Sequence, residues 1–272
     1  EVDFGTFYQF TDGRLVQVAE NAEVELEAAD SWLVEDNSVR NLQLHFDRFA
    51  RAIANKPGAP SESELDSFFE AVVAQIPKTG RWFPRIEYHA EQSNPLFLKL
   101  REAPEKLHDA ILWTLSEPDP RRNPHVKGPD LSLGMQLRRK AQVHGADEAA
   151  LIDANGFLIE GALSSIVWWH GDTLIAPNDE TNWLESVTRI EIFEIAQQLG
   201  LQTRTANAKP EELASTEVWL LSSLQGIRRV SRWLTQDGEI LLAEPTPESA
   251  KRIASFELRL RMLSTQSRFR RD

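Results

Sequence analysis

The chain has 272 residues, a formal net charge of -12 at pH 7, 41% hydrophobic and 26% charged residues, and no cysteine. The acidic balance argues against nucleic acid or an anionic membrane surface as the main ligand. The missing cysteine excludes disulfides, thiolate metal sites and cysteine nucleophiles. No apolar run approaches the roughly 20 residues of a membrane span, and no basic-then-apolar signal opens the chain. The expectation is a cytoplasmic globular protein of one large or two ordinary domains, with something trimmed or left out before Glu1.

Residues 1–35 read as short strands: Phe4–Phe10, a turn at Thr11-Asp12-Gly13-Arg14, Leu15–Ala19, an acidic edge strand over Glu20–Glu27, and Ser31–Val34. A helix is expected over Leu42–Ala54, with Leu42, Phe46, Phe49, Ala50 and Ile53 on one face and Arg48 and Arg51 off it. A second helix starts at Ser61, where Glu64 completes a capping-box pattern, and stops before Pro77. Strands follow at Trp82–His89, Leu96–Leu100 and Ile111–Leu115. Glu117–Pro124 holds three prolines and four charges, reads as a linker, and sets the expected domains at 1–118 and 119–272.

Past that stretch a helix is expected over Leu133–Val143. A meander follows: Ala149–Asp153, Phe157–Glu160, Ser165–Trp169 and Leu174–Ala176. Ser186 caps a helix whose inward positions read as Val187, Ile190, Phe193, Ala196 and Leu199. A strand at Val218–Leu221 and a last helix after Thr246-Pro247 complete the elements. The basic end (Arg259, Arg261, Arg268, Arg270, Arg271) reads as a solvated helix face rather than a nucleic-acid tail. The histidines show no paired metal-ligand spacing, so no metal site is expected, and no G-x-S-x-G or P-loop motif occurs.

Three features stand out chemically. Lys127 sits in Asn123-Pro124-His125-Val126-Lys127-Gly128-Pro129, a fixed, non-helical segment because proline locks φ on both sides. Glu160 ends the strand that follows the Asn155-Gly156 turn, and Val187-Thr188-Arg189 opens a helix. A lysine able to form an imine, an acid and a helix N-terminus are parts a pyridoxal phosphate site needs. Singly each has a bland reading: a solvated lysine, a turn acid, a second capping hydroxyl.

In order and spacing, however, six segments resemble the class IV aminotransferases. These are the fold-type-IV pyridoxal phosphate enzymes, which include branched-chain and D-amino acid aminotransferases and aminodeoxychorismate lyase. The segments are Leu44–Phe49, Asn123–Gly128, Gly145–Leu151, Gly156–Gly161, Val187–Arg189 and Ser222–Ile227. The resemblance spans about residues 30 to 235.

The resemblance implies an α+β, two-domain, D-amino acid aminotransferase-like fold, with a smaller N-terminal α/β domain, a larger C-terminal domain, a cofactor in the cleft and a homodimer. Lys127 matches the lysine that bonds the cofactor and shuttles the proton, and Glu160 the acid on the pyridine nitrogen. Arg48, Val187 and Thr188 match phosphate-binding positions. Ser223, with Ser222, matches the hydroxyl position after the late strand. An arginine should receive the substrate carboxylate, and Arg85 is the candidate.

The activity implied is transfer of an amino group between an amino acid and a 2-oxo acid. The alternatives are aminodeoxychorismate lyase, which releases pyruvate and 4-aminobenzoate, and a non-catalytic protein that keeps the fold for binding. Two departures bear on this. Serine (Ser165) stands where the family has asparagine, and Glu185-Ser186 stands where it has Pro-Gly, placing an acid beside the expected phosphate site.

Overall fold

The computed structural model describes residues 5–178, 180 and 183–269. The chain forms two compact units. The first runs to Glu105 and also takes in Val126–Pro129 and a C-terminal piece from Leu263; the second comprises Lys106–His125 and Asp130–Met262. The division therefore does not fall at one point near residue 118. The chain leaves the first unit after Glu105 and returns to it for the four residues that carry Lys127.

In the first unit, strands β1 (Thr6–Thr11) and β2 (Arg14–Gln17) form a hairpin. Asp12 and Gly13 at its turn have φ of 50° and 75°, as a two-residue hairpin turn requires. Then come β3 (Ala28–Ser31), β4 (Val34–Glu35), β5 (Ser38–Arg40), α1 (Leu42–Ile53), α2 (Glu62–Gln75), β6 (Arg81–Trp82), β7 (Arg85–Tyr88) and β8 (Leu96–Leu100). The main sheet is antiparallel in the order β2-β1-β8-β7-β3. A short strand, Ser264–Gln266, pairs with β5 in a second sheet that also holds β4 and β6.

The edge strand expected over Glu20–Glu27 does not form. Asn21 turns the chain there, accepting from the Glu23 N–H at 3.0 Å, and regular pairing starts only at Ala28. Both helices match their sequence signals. Leu42, Phe46, Phe49 and Ile53 of α1 are buried, and Ser61 caps α2 by accepting from the Glu64 N–H at 3.2 Å. Trp32, Phe46, Phe49, Phe68, Ile86 and Leu98 form the core between helices and sheet. Of the expected strand Phe4–Phe10, Phe4 lies outside the described residues, as do Arg270 and Arg271.

The second unit contains β9 (Asp109–Thr114), α3 (Leu131–Val143), β10 (Glu148–Ile152), β11 (Leu158–Gly161), β12 (Ser165–His170), β13 (Thr173–Pro177), α4 (Val187–Gln198), β14 (Gln202–Ala206), β15 (Glu217–Ser222), β16 (Gly226–Thr235), β17 (Gly238–Ile240) and α5 (Pro247–Met262). The sheet order is β11-β10-β9-β16-β15-β12-β13-β14, with β17 hydrogen-bonded to β16. The sequence reading misses β16, although it is the longest strand and lies inside the sheet. Arg228, Arg229 and Arg232 hide its apolar pattern. Arg228 is nonetheless buried, its Nε donating to the Asp109 carbonyl at 3.1 Å.

Helix α4 buries only part of the face expected, Val187 and Ala196, and adds positions the reading left out. Thr188, Ile192, Ile195 and Ala196 are buried with Val187, whereas Ile190 and Phe193 are only half-buried. The polar Thr188 and Glu191 sit inside, so hydrophobic spacing alone could not find this face.

Candidate active site

Each unit carries one cluster of the residues singled out above. In the first unit the Val126–Pro129 segment lies along β3. The Ala29 N–H donates to the Lys127 carbonyl at 2.8 Å. Gly128 has φ +134°, and a Cβ there would come within 2.7 Å of the Ala28 and Ala29 backbone. Only glycine permits so close an approach. Ala28 and Ala29, both buried, present the small side chains that leave room for it.

The next residue on β3 is Asp30, fully buried. Its carboxylate accepts from Arg48 Nε at 2.6 Å, Arg48 Nη2 at 2.7 Å and His45 Nδ1 at 2.8 Å. His45 and Arg48 are one helical turn apart on α1, which sets both donors over the same strand. Burial alone would raise the Asp30 pKa, but Arg48 and His45 outweigh it and hold the carboxyl well below the usual carboxylate range. Burial lowers the His45 pKa against the pull of Asp30.

Lys127 is half-buried as a residue. Desolvation of its amine, aided by the positive charges of Arg48, Arg101 and Arg85 and opposed by Asp30, lowers its pKa to about 8. A primary amine attacks carbonyl carbon only when neutral, so this lysine is unusually ready for that at physiological pH.

Arg85 on β7 donates through Nε to Glu87 at 2.8 Å, and Glu87 takes His89 Nε2 at 2.9 Å on its other oxygen. Burial opposes the charge on Glu87, but the His89 hydrogen bond and Arg85 outweigh it and lower its pKa.

In the second unit Glu160 sits on β11, buried after Leu158 and Ile159. Its Oε1 accepts from Arg121 Nη1 at 2.6 Å and from the Leu184 N–H at 3.0 Å. Burial pushes its pKa up to about 7, against the lowering effect of Arg121 and the Leu184 N–H. Arg121 also grips Asp119, Nε lying 3.0 Å from both carboxylate oxygens and Nη2 at 2.9 Å from Oδ2. Thus Glu117–Pro124 is not a solvated spacer, since the side chains of Asp119 and Arg121 are only 8% and 7% exposed.

Ser186 caps α4, its Oγ accepting from the Arg189 N–H at 3.1 Å. That leaves Val187 and Thr188 in the first turn, where N–H groups have no partner within the helix. The Thr188 hydroxyl is fully buried and, among the described residues, has no hydrogen-bond partner. An orphan of this kind costs about 1–3 kcal/mol, and a bound phosphate oxygen would satisfy it. Glu185, the troubling acid of the sequence, is exposed. Ser222 Oγ accepts from the Gln225 N–H at 3.0 Å and so shapes the turn between β15 and β16, with Ser223 half-buried beside it. Ser165, in the asparagine position, is buried on β12.

The structure therefore brings Lys127 and Arg48 together around Asp30 in one unit, and it places Glu160, Val187 and Thr188 in the other. Sequence reasoning missed Asp30, Asp119 and Arg121. An acid among the small and aromatic residues of Ala28-Ala29-Asp30-Ser31-Trp32 was the available signal for the first. Nothing local distinguishes Arg121 from a linker arginine.

Comparison with known proteins bears on family and fold. The family model described as amino-transferase class IV matches residues 27–233. A probable branched-chain-amino-acid aminotransferase of Rickettsia felis is 27% identical over 101 residues, 37% of this chain and 34% of that protein. Aminodeoxychorismate lyase of Bacillus subtilis is 31% identical over 78 residues, 28% of this chain and 27% of that protein. These matches span about a third of the relatives' own lengths or less. The solved structure of a fold IV-transaminase from Curtobacterium pusillum superposes with a TM-score of 0.74 at 17% identity, covering 95% of this chain and 99% of that one. At that identity the likeness establishes a shared fold.

Proposed function

The chain belongs to the class IV aminotransferase family and has the fold of the fold-type-IV enzymes, and we propose that it is a pyridoxal phosphate-dependent transaminase acting between an amino acid and a 2-oxo acid. The observation that carries this reading is Lys127, an amine lowered to a pKa of about 8 on a backbone segment that only glycine at 128 allows to seat. The cofactor supplies an electron-accepting ring when bound. Lys127 would supply the nucleophilic amine and the base that moves the α-proton. Glu160 would hold the ring nitrogen as hydrogen-bond acceptor. Thr188 and the N–H groups of the first α4 turn would hold the phosphate; Arg48 is a further phosphate-binding candidate, and Ser222 and Ser223 are hydroxyl candidates. Arg85 receives a substrate carboxylate.

The buried orphan hydroxyl of Thr188 supports the fit of the phosphate. Glu185 does not oppose it, since that side chain is exposed. The family resemblance supports a homodimer, and a cytoplasmic setting is the default for the chain; sedimentation and cell fractionation test these two.

The test of function is a visible absorption titration with pyridoxal phosphate, for wild type and Lys127→Ala, followed by borohydride reduction and peptide mapping. A coloured adduct that traps on Lys127 and is lost in the variant is expected. No adduct in the wild type overturns the reading. The similarity to aminodeoxychorismate lyase favours one second reading, elimination of pyruvate. Pyruvate release from aminodeoxychorismate without a 2-oxo acid would establish it instead.

A further inference from the structure

The two oxygens of Glu160 are treated unequally. Oε1 takes both the Arg121 Nη1 donor at 2.6 Å and the Leu184 N–H at 3.0 Å, while no donor among the described residues reaches Oε2. Arg121 is itself immobilised. Asp119 holds its Nε and Nη2 edge, and the Asp119 N–H donates to the Ile152 carbonyl at 2.8 Å. Ile152 belongs to β10, the strand paired with β11 and so with Glu160. Pro118 and Pro120 flank Asp119 and restrict the backbone on either side. The guanidinium is therefore built into the sheet edge beside the carboxyl it touches.

We propose that Arg121 is a positioning residue for Glu160: anchored by Asp119, it pins Oε1, opposes protonation of the carboxyl and leaves Oε2 as the acceptor for the ring nitrogen of the cofactor. The inference rests on the reading that Glu160 meets that nitrogen. A buried carboxyl tends to take up a proton, and a protonated carboxyl offers a donor where an acceptor is needed. Arg121 opposes that tendency, whereas the negative charge of Asp119 favours it. Removing one or the other should thus move Glu160 in opposite directions, which mere loosening of the fold would not do.

The experiment is carbon-13 NMR of the full-length protein labelled at glutamate carboxyls, titrated before loading with pyridoxal phosphate, with the Glu160 signal assigned through Glu160→Gln. Arg121→Gln should raise the Glu160 midpoint by about one unit or more, the usual effect of losing an adjacent opposite charge. Asp119→Asn should lower it, and Arg121→Lys should restore most of the wild-type value. Pyridoxal phosphate should bind Arg121→Gln about tenfold more weakly than wild type, a loss of one charge-assisted contact.

Unchanged midpoints, or midpoints that move the same way in Arg121→Gln and Asp119→Asn, overturn the proposal. So do opposite shifts with undiminished cofactor affinity. Should Arg121→Gln fail to fold, Asp119→Asn and Arg121→Lys still decide: a raised or unchanged midpoint in the former overturns it. The titration needs no cofactor, so its failure is distinct from failure of the functional reading, which trapping at Lys127 decides.

Discussion

The N–H of Ala29 donates to the carbonyl oxygen of Lys127 at 2.8 Å, joining two segments that lie nearly a hundred residues apart in the chain. One residue along β3, Asp30 gathers His45 and Arg48. The lysine and Arg48, the foremost of the charges that lower its pKa, are thereby referenced to one strand. Backbone contact fixes the place of the lysine, and buried charge sets its reactivity.

Gly128→Ala tests the backbone contact. The added Cβ meets the Ala28 and Ala29 backbone at 2.7 Å in a conformation that L residues avoid. A loss of about 2 kcal/mol or more in urea unfolding is expected, with slower borohydride-trappable attachment at Lys127. Wild-type stability in this variant would show that the segment is not seated on β3.

Asp30→Asn tests the charge cluster. Removing one partner from a buried pair leaves the other without compensation, for a cost of about 3–5 kcal/mol. The folded-state pKa of Asp30 is depressed. Its stabilisation is therefore complete above the unfolded value of about 4 and is lost as pH falls below it. Below about pH 4 the unfolding free energy should therefore fall more steeply with decreasing pH in wild type than in Asp30→Asn, and equal slopes would show that this carboxylate does not carry the stabilisation.

Thr188→Val separates stability from binding. The buried hydroxyl has no partner among the described residues, so its removal should leave the cofactor-free protein as stable as wild type or more stable by about 1 kcal/mol. Affinity for pyridoxal phosphate should nevertheless fall about tenfold, while affinity for pyridoxal, which lacks the phosphate, should not. Equal losses for both ligands would place the hydroxyl away from the phosphate.

Glu160 makes the cofactor-free protein less stable as pH rises. Its folded pKa is raised to about 7, against about 4.3 unfolded. Between these values the native state binds more protons than the unfolded state, and the slope of unfolding free energy with pH is negative. The contribution is intact below about pH 4 and gone above about 7, a change of roughly 4 kcal/mol. Glu160→Gln should remove that part of the pH dependence. Parallel wild-type and variant curves between pH 4.5 and 8 would count against it.

Sequence alone was enough for the local devices, because each is a short-range rule. Ser61 and Ser186 cap their helices as read, the Asp12-Gly13 hairpin forms, and α1 buries the expected apolar stripe. It was also enough for Lys127, Glu160 and the Val187–Thr188 helix start as candidates, and for the family. Tertiary structure alone decided what those groups touch. Burial turned an ordinary-looking lysine into one with a pKa of about 8 and Glu160 into a carboxyl with a pKa of about 7. It also turned the charges of a proline-rich stretch into the Asp119–Arg121–Glu160 chain.

The longest strand escaped the sequence reading because arginines interrupt its apolar pattern, and buried Arg228 is satisfied by the Asp109 carbonyl, distant in the chain. The buried face of α4 escaped because Thr188 and Glu191 share it with aliphatic residues. Hydrophobic periodicity reports transfer from water. It does not report polar groups whose partners arrive from elsewhere in the fold.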